Sequence, residues 1–311
     1  MWLNGLKLKI KDLALPSQLQ NILFSFLTNR YLTVNVDGAV SNPVQLEAGT
    51  PQGSCLSPVL YIIFVNDLTS KVDQNTTSCS QYADDVGLYC TDRNIKVAEK
   101  HVQDALNHVM EWCRRWQVIM NVKKSQVVVF SKCPTHKKQT VNLKIFDQVI
   151  PTTNEATYLG VIFDTRLSWE SQIKRMSERA YGRLNLLRAM SGISRKHNPT
   201  LLSQLYNSII RSIFEYSSVC IVNAANVHLQ KLQVIQNEAL RIVLKVPAYI
   251  PIATMNDSGN QKNIREHLCI VAKERIQRLC ESSRLVQETV RNFRNLRNNT
   301  FNASPVDIIQ L

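Results

Sequence analysis

Two adjacent aspartates, Asp84 and Asp85, are flanked on both sides by residues that favour β-strands. The segment QYADDVGLYC therefore predicts a strand, a tight turn and a second strand, with both carboxylates at the tip. Paired carboxylates supply the oxygen ligands that Mg²⁺ takes while coordination positions stay open for substrate phosphates. Without further support, such a pair is more typical of a solvated turn than of a metal site.

The elements that would position this turn alternate between helix and strand up to about residue 165. Apolar residues at 19, 22, 23, 26 and 27 predict a helix of about four turns with Pro16 in its first turn, and the residues before it, including Asp12, as its approach. A hairpin over residues 31–46 turns at Asp37-Gly38, and a loop over 49–58 opens the next helix. A long helix ends near Trp116. Further strands are predicted in QVVVF, LKIFDQVIP and TYLGVIFD.

Beyond residue 165 the pattern is helical only. Stripes of apolar residues predict helices over 173–187, 202–214 and 229–243, the last of them stopped by Pro247. The Asn- and Arg-rich stretch RNFRNLRNNTFNASP has little apolar periodicity and is predicted to be mobile. The expected fold class is α+β, with a domain boundary near residue 165.

Composition excludes several classes of protein. The 311 residues are 44% hydrophobic and 20% charged, which is typical of a globular chain and not of a disordered one. No apolar run approaches the length of a membrane span, and no secretory signal is visible, so an intracellular protein of the nucleus or cytoplasm is expected. The eight cysteines lack zinc-site spacing and are predicted to be reduced. A net charge of +13 favours a polyanionic partner such as nucleic acid.

Four blocks together carry a resemblance that the aspartate pair alone does not. They are GTPQGSCLSPVLYIIFVNDL, YADD, NVKKSQVVVFSK and TYLGVIFDTRLSW, in that order. This series resembles the reverse transcriptase domain of non-LTR (LINE-like) retrotransposons, and the order and spacing supply the context that a motif match requires. The resemblance implies a right-hand polymerase fold. Its palm, an antiparallel sheet packed on helices with part of the fingers, would span residues 1–165, a helical thumb 166–250, and a C-terminal extension 251–311.

The resemblance also implies an activity, RNA-directed DNA polymerisation from deoxynucleoside triphosphates (dNTPs). Asp84 and Asp85 would be catalytic and bind Mg²⁺, with Mn²⁺ as the alternative ion. Lys124 would act as the general acid that protonates the departing pyrophosphate. The expected partners are an RNA template, a DNA primer, their RNA–DNA duplex and dNTPs, and no membrane.

Binding roles follow for residues of the other blocks. Tyr82 would pack beneath the primer or template end, and the thumb arginines would contact phosphates of the duplex. The full set of expected substrate- and template-binding residues is Tyr82, Pro51, Gln52, Gly53, Lys123, Tyr158, Leu159, Gly160, Arg175, Arg179 and Arg183. Several of them have a plainer interpretation from the residues alone: a strand aromatic for Tyr82, a turn for residues 51–53, a solvated pair for the lysines and a solvated basic helix face for the arginines.

One feature of the family pattern is missing from the sequence. The family's further palm aspartate, aligned through Trp2, falls one or two positions before Met1. Neither Asp12 nor Asp67 has an evident claim to replace it. The expectation is therefore an N-terminally truncated palm and thumb, and the alternative function is an inactive copy that acts at most as a basic RNA- or duplex-binding module.

Overall fold

The chain divides into two compact units between Leu159 and Gly160. A computed structural model describes residues 1–131, 141–193, 198–247, 249–259 and 261–282. Both helices and strands are present, which confirms the α+β class. The stretch predicted to be mobile lies outside the described residues.

The described part of the first unit contains four helices. Between and after them lie three short antiparallel hairpins and one further pair of antiparallel strands. The helices are α1 (Leu3–Asp12), α2 (Ser17–Leu27), α3 (Ser57–Val65) and α4 (Ile95–Arg115). The strands are β1 (Tyr31–Leu32), β2 (Asn35–Val36), β3 (Ala39–Val40), β4 (Val44–Gln45), β5 (Ser78–Tyr82), β6 (Asp85–Tyr89), β7 (Lys144–Ile145), β8 (Gln148–Val149) and β9 (Glu155–Tyr158). The pairs are β1 with β4, β2 with β3, β5 with β6, and β7 with β8.

Helix α1 shows that the residues before Pro16, predicted only to lead into the first helix, form a helix of their own. Its sequence alternates lysine and leucine over a short stretch, but Leu6 and Ile10 lie four residues apart on one face and are completely buried. They pack with Leu27, Leu60 and neighbouring residues in a core between α1, α2 and α3. Burial of that face stabilises the helix. The alternation of lysine and leucine in the sequence makes the buried face hard to recognise.

Two strand predictions in the first unit, QVVVF and LKIFDQVIP, also need correction. The run QVVVF forms no strand, and within the described residues its ladder is reduced to one isolated bridge between Val127 and Thr152. The run LKIFDQVIP forms two strands, β7 and β8, instead of one. Phe146 and Asp147 both adopt positive φ, the backbone of a tight two-residue hairpin turn. A run of residues with high β propensity does not reveal which strand it pairs with. A turn within such a run is therefore easily missed.

The predicted long helix is confirmed as α4, and its ends have clear physical causes. The Asn94 side chain accepts a hydrogen bond from the backbone N–H of Lys96 at 3.0 Å and caps the N-terminus. Arg114 and Arg115 lie in the last turn, where cations interact favourably with the helix dipole. One face of α4, including Leu106 and Val109, is buried in the core of this unit.

The second unit begins with a strand and continues with helices. Its elements are β10 (Val161–Asp164), α5 (Glu170–Ile193), α6 (Pro199–Tyr206), a π-helical segment (Asn207–Arg211), α7 (Ser212–Tyr216), α8 (Ser218–Ile221), α9 (Asn226–Leu244), α10 (Ile252–Ser258) and α11 (Ile264–Ser282). TYLGVIFD is thus divided into β9 and β10, because Leu159 and Gly160 both have positive φ. Helix α9 ends at Leu244, and its C-cap residue Lys245 has a left-handed backbone, two residues before Pro247.

A single apolar core stabilises the described part of the second unit. It combines residues of α5, α6, α7, α9 and α11, and Ile173, Leu184, Phe214 and Leu232 are completely buried in it. Among the described residues of the whole chain, no helix is long and apolar enough to cross a membrane.

Candidate active site

The two aspartates lie on the hairpin that the sequence predicts, formed by β5 and β6 and called here the YADD hairpin (residues 78–89). Tyr82 pairs with Asp85 across the ladder, so only Ala83 and Asp84 form the turn. Directly opposite residues share one face of a ladder, which places the side chains of Tyr82 and Asp85 side by side. Tyr82, Asp84 and Asp85 are all exposed, and both carboxylates are therefore accessible to a ligand.

The turn itself is strained. Ala83 has φ +51°, in the left-handed region, where a residue with a Cβ atom costs about 1–2 kcal/mol. This conformation turns the chain within two residues and exposes Asp84 at the tip. A strained backbone conformation of this kind persists only where the surrounding structure holds it in place.

Tyr61 of helix α3, which was not singled out in the sequence, is electrostatically coupled to Asp84. Burial raises the pKa of the Tyr61 phenol, and the negative charge of Asp84 raises it further. The phenol thus lies within electrostatic reach of the Asp84 carboxylate. Nothing in the local sequence marks Tyr61, because its role depends on how α3 packs.

The loop that precedes α3 carries Pro51, Gln52 and Gly53. The Ser57 hydroxyl, at the start of α3, donates a hydrogen bond to the carbonyl of Pro51 and ties the loop to the helix. Gln52 and Gly53 are exposed, and Gly53 has φ +85°, which only glycine adopts readily. Cys55, in the same loop, is exposed as well. The Gln52 amide is therefore available to a ligand, as the prediction requires.

Lys123 and Lys124 lie in a 3₁₀ turn, Val122–Lys124. The Asn121 side chain accepts the backbone N–H of Lys124 at 3.2 Å and holds this turn. Both lysine side chains are exposed and make no hydrogen bond or ion pair with any residue that the structure describes. The structure thus provides two exposed ammonium groups, without bringing either into contact with the aspartates.

Tyr158, at the end of β9, contacts the YADD hairpin directly. Its hydroxyl lies 3.1 Å from the Ser80 hydroxyl, at hydrogen-bond distance. Leu159 and Gly160 follow with positive φ values of +46° and +74°. Tyr158, one of the residues predicted for the primer-binding strand, thus contacts the hairpin that carries the two aspartates.

The three predicted arginines of α5 differ in their surroundings. The Arg175 guanidinium donates to the carbonyl of Gly160 and to the Gln172 side chain, so it supports the local structure. Arg179 and Arg183 are exposed, one helical turn apart, and form no ion pair within the described part of the chain. These two are the arginines that remain available for phosphates.

Asp67, considered above as a substitute ligand, has a structural role. Its carboxylate accepts hydrogen bonds from the buried Lys9 ammonium and, at 2.9 Å, from the indole N–H of Trp112. The Lys9 Nζ atom also lies over three rings, at 4.0 to 5.2 Å from their centroids. We call these rings, Phe64, Trp112 and Trp116, the aromatic cage. Burial lowers the pKa of Lys9, although Asp67 acts in the opposite direction.

The set of oxygen ligands is small. Within the described residues, no three His, Cys, Asp or Glu side chains are grouped so that they could hold a metal ion. Asp84 and Asp85 alone still fit a magnesium ion, since Mg²⁺ is often held by one or two carboxylates together with water and substrate phosphates. Asp12, the other substitute considered, is the last residue of α1.

One family model and several curated proteins are similar to this chain. The family model described as "Reverse transcriptase (RNA-dependent DNA polymerase)" matches residues 2–163. The probable RNA-directed DNA polymerases from transposon BS and from transposon X-element of Drosophila melanogaster are each 29% identical over 86% of this chain. The RNA-directed DNA polymerase from mobile element jockey of the same species is 26% identical over 90% of it. The chain spans about 30% of the length of these curated relatives.

Proposed function

Because the chain belongs to the reverse transcriptase (RNA-dependent DNA polymerase) family, we propose that it transfers deoxynucleotides to the 3′-hydroxyl of a primer paired with RNA. The observation that carries the proposal is the exposed Asp84-Asp85 pair on the tight turn of the YADD hairpin. Family membership, together with relatives named as polymerases, favours this function over the alternative of a copy that only binds RNA.

In this proposal Asp84 and Asp85 hold divalent metal, Mg²⁺ in the first place. When bound, Mg²⁺ supplies Lewis-acid stabilisation of the oxygens of the transferred phosphoryl group. The Lys124 ammonium, exposed on its 3₁₀ turn, donates a proton to the departing pyrophosphate. Lys123 and the side chain of Gln52, with Pro51 and Gly53 shaping its loop, bind nucleotide or template.

The same proposal assigns the other regions of the chain to parts of the polymerase fold. Residues 1–165 form the palm with part of the fingers, 166–250 the thumb and 251–311 a C-terminal extension. Tyr82 packs beneath the primer or template end, and backbone groups of 158–160 hold the primer terminus. Arg179 and Arg183 contact duplex phosphates, which gives binding that weakens as salt rises and carries no sequence information. The partners are an RNA template, a DNA primer and dNTPs.

Primer extension tests the function. The full chain, and a version extended upstream through the aspartate that the family carries there, are given a DNA primer on an RNA template, dNTPs and Mg²⁺. We expect Asp84→Asn to lower extension at least about 100-fold, because it removes a charged ligand that acts in the transition state. Asp37→Asn is the matched control, since Asp37 also lies in an exposed two-residue hairpin turn.

The outcomes separate the two functions. Extension lost in Asp84→Asn and retained in Asp37→Asn supports the polymerase. Extension that survives Asp84→Asn refutes the assigned role of the YADD hairpin. Salt-dependent duplex binding without extension by either version would leave only the binding module.

A further inference from the structure

The contact between Tyr158 and Ser80 lies on the same face of the YADD hairpin as Asp85. Ser80 and Tyr82 are two residues apart on β5 and so point to one side of the ladder. Ser80 pairs with Gly87, and Tyr82 pairs with Asp85. The hydroxyl contact is therefore two residues along the strands, or about 7 Å, from Asp85.

Gly87 makes room for this contact. A Cβ atom there would come within 2.8 Å of the Ser80 hydroxyl oxygen and 3.6 Å of the Tyr158 ring. Gly87 does not have a positive φ, so the backbone does not demand glycine at this position. A glycine inside a strand weakens it and commonly marks a close approach of another group. Here the approaching group is the Tyr158 side chain.

The opposite face of the hairpin is held separately. Leu88 packs with residues of α4, including Leu106 and Val109, in the core of the first unit. Within the described residues β5 and β6 pair only with each other, and an isolated two-stranded hairpin is marginally stable in water. Tyr158 on one face and Leu88 on the other thus hold a hairpin whose turn is strained at Ala83.

From this arrangement we infer that the Tyr158 side chain is a positioning residue: through Ser80, in the space left by Gly87, it fixes the YADD hairpin so that Asp85 keeps its place at the site. The inference rests on the proposed function and deepens it. In this inference the Tyr158 phenol holds the hairpin, whereas the backbone groups of residues 158–160 hold the primer terminus.

Two readouts test the inference, and one of them needs no polymerisation. The first is binding of Mn²⁺ alone, followed by the paramagnetic resonance of the free ion. We expect Tyr158→Phe and Ser80→Ala each to weaken Mn²⁺ binding about 3- to 10-fold, the range of one neutral hydrogen bond. The double variant should be no worse than the singles, because both remove the same bond. Tyr89→Phe is the matched control, since Tyr89 is an exposed tyrosine on the same hairpin face.

The second readout is steady-state primer extension. Tyr158→Phe should lower kcat about 3- to 10-fold and leave KM for the primer–template unchanged. A raised KM with unchanged kcat would mean that the phenol contacts the primer, and would overturn the inference. Additive effects in the double variant, or no effect of Tyr158→Phe on either readout, would overturn it as well.

The two readouts distinguish this inference from the proposed function. If the chain extends no primer but Mn²⁺ binding follows the expected pattern, the proposed polymerase fails and the inference stands. If extension depends on Asp84 but neither readout responds to Tyr158→Phe, the polymerase stands and the inference fails. If the chain binds no Mn²⁺, the inference is overturned.

Discussion

Asp164 holds the turn that leads into α5, and its removal should loosen the start of that helix. The carboxylate accepts backbone N–H groups of Arg166 at 3.0 Å, Ser168 at 3.1 Å and Trp169 at 2.9 Å, and the Ser168 hydroxyl at 3.2 Å. Leu167 and Trp169 both have positive φ, which is unfavourable for such large residues. Four hydrogen bonds to one carboxylate offset this strain.

The size of the effect follows from these bonds. Asp164→Ala leaves three backbone donors without their acceptor in a half-buried turn, where each bond to a charged group contributes about 1.5–3 kcal/mol before water replaces part of it. We expect a loss of about 2–4 kcal/mol in the local free energy of unfolding, and about half of that for Asp164→Asn, which keeps one oxygen. Glu178→Ala, an exposed acid on α5 itself, should change it by less than about 0.5 kcal/mol.

Amide hydrogen exchange, followed by mass spectrometry on peptides covering residues 164–176, measures this loss directly. A loss of 2–4 kcal/mol corresponds to about 30- to 900-fold faster exchange when opening and closing are fast. The control Glu178→Ala should exchange like the unaltered chain. Exchange changed by less than about 3-fold in Asp164→Ala would refute the reasoning that this carboxylate holds the turn.

The effect should also depend on pH. Burial of Asp164 opposes its ionisation, but the hydrogen bonds from Ser168, Trp169 and Arg166 outweigh burial and lower its pKa below the usual value. The folded state therefore binds this proton less readily than the unfolded state. The stabilisation is complete above about pH 4, the pKa of an unfolded aspartate, and is lost as pH falls through the lower folded pKa. The difference between Asp164 and Asp164→Asn should accordingly shrink in acid.

Two further predictions concern ionisable groups that are partly or fully buried. Burial lowers the pKa of His267, although Glu215, at 2.6 Å from its Nε2 atom, acts in the opposite direction. Because the unfolded state then binds this proton more readily, the free energy of unfolding should fall as pH drops below about 6.5. Urea unfolding at pH 7.5 and 5.5 should show this fall reduced in His267→Gln, and an equal fall in both proteins would contradict it. Lys9→Met should lower the free energy of unfolding by about 1–3 kcal/mol, because Asp67 and the aromatic cage lose their cation. Urea unfolding of Lys9→Met against the exposed control Lys11→Met checks this, and equal stabilities would contradict it.

Long periodic segments made much of the fold predictable. The apolar faces of α4 and α9 each extend over several helical turns, so one misread position does not change the prediction of a helix. Pro247 marks the end of α9. The YADD hairpin was also predictable, because β-formers flank two residues that tolerate a turn. These features depend on local sequence alone.

Features that depend on tertiary packing were not predictable in the same way. The burial of Leu6 and Ile10 that defines α1 becomes visible only when α3 is in place. Tyr61 was missed because its proximity to Asp84 arises from the packing of α3, and the Tyr158 contact joins residues 78 positions apart. The lone bridge at Val127 likewise shows that β propensity does not supply a pairing partner.

The exposed Cys55 makes the loop before α3 accessible to thiol chemistry. Among the cysteines that the structure describes, it is the one whose residue is exposed. Burial raises the pKa of four others, which keeps them protonated and slow to react at neutral pH: Cys79, Cys90, Cys113 (to about 11) and Cys220. A maleimide fluorophore on Cys55 would sit three residues from Gln52, and so would report in real time the approach of any ligand to the loop.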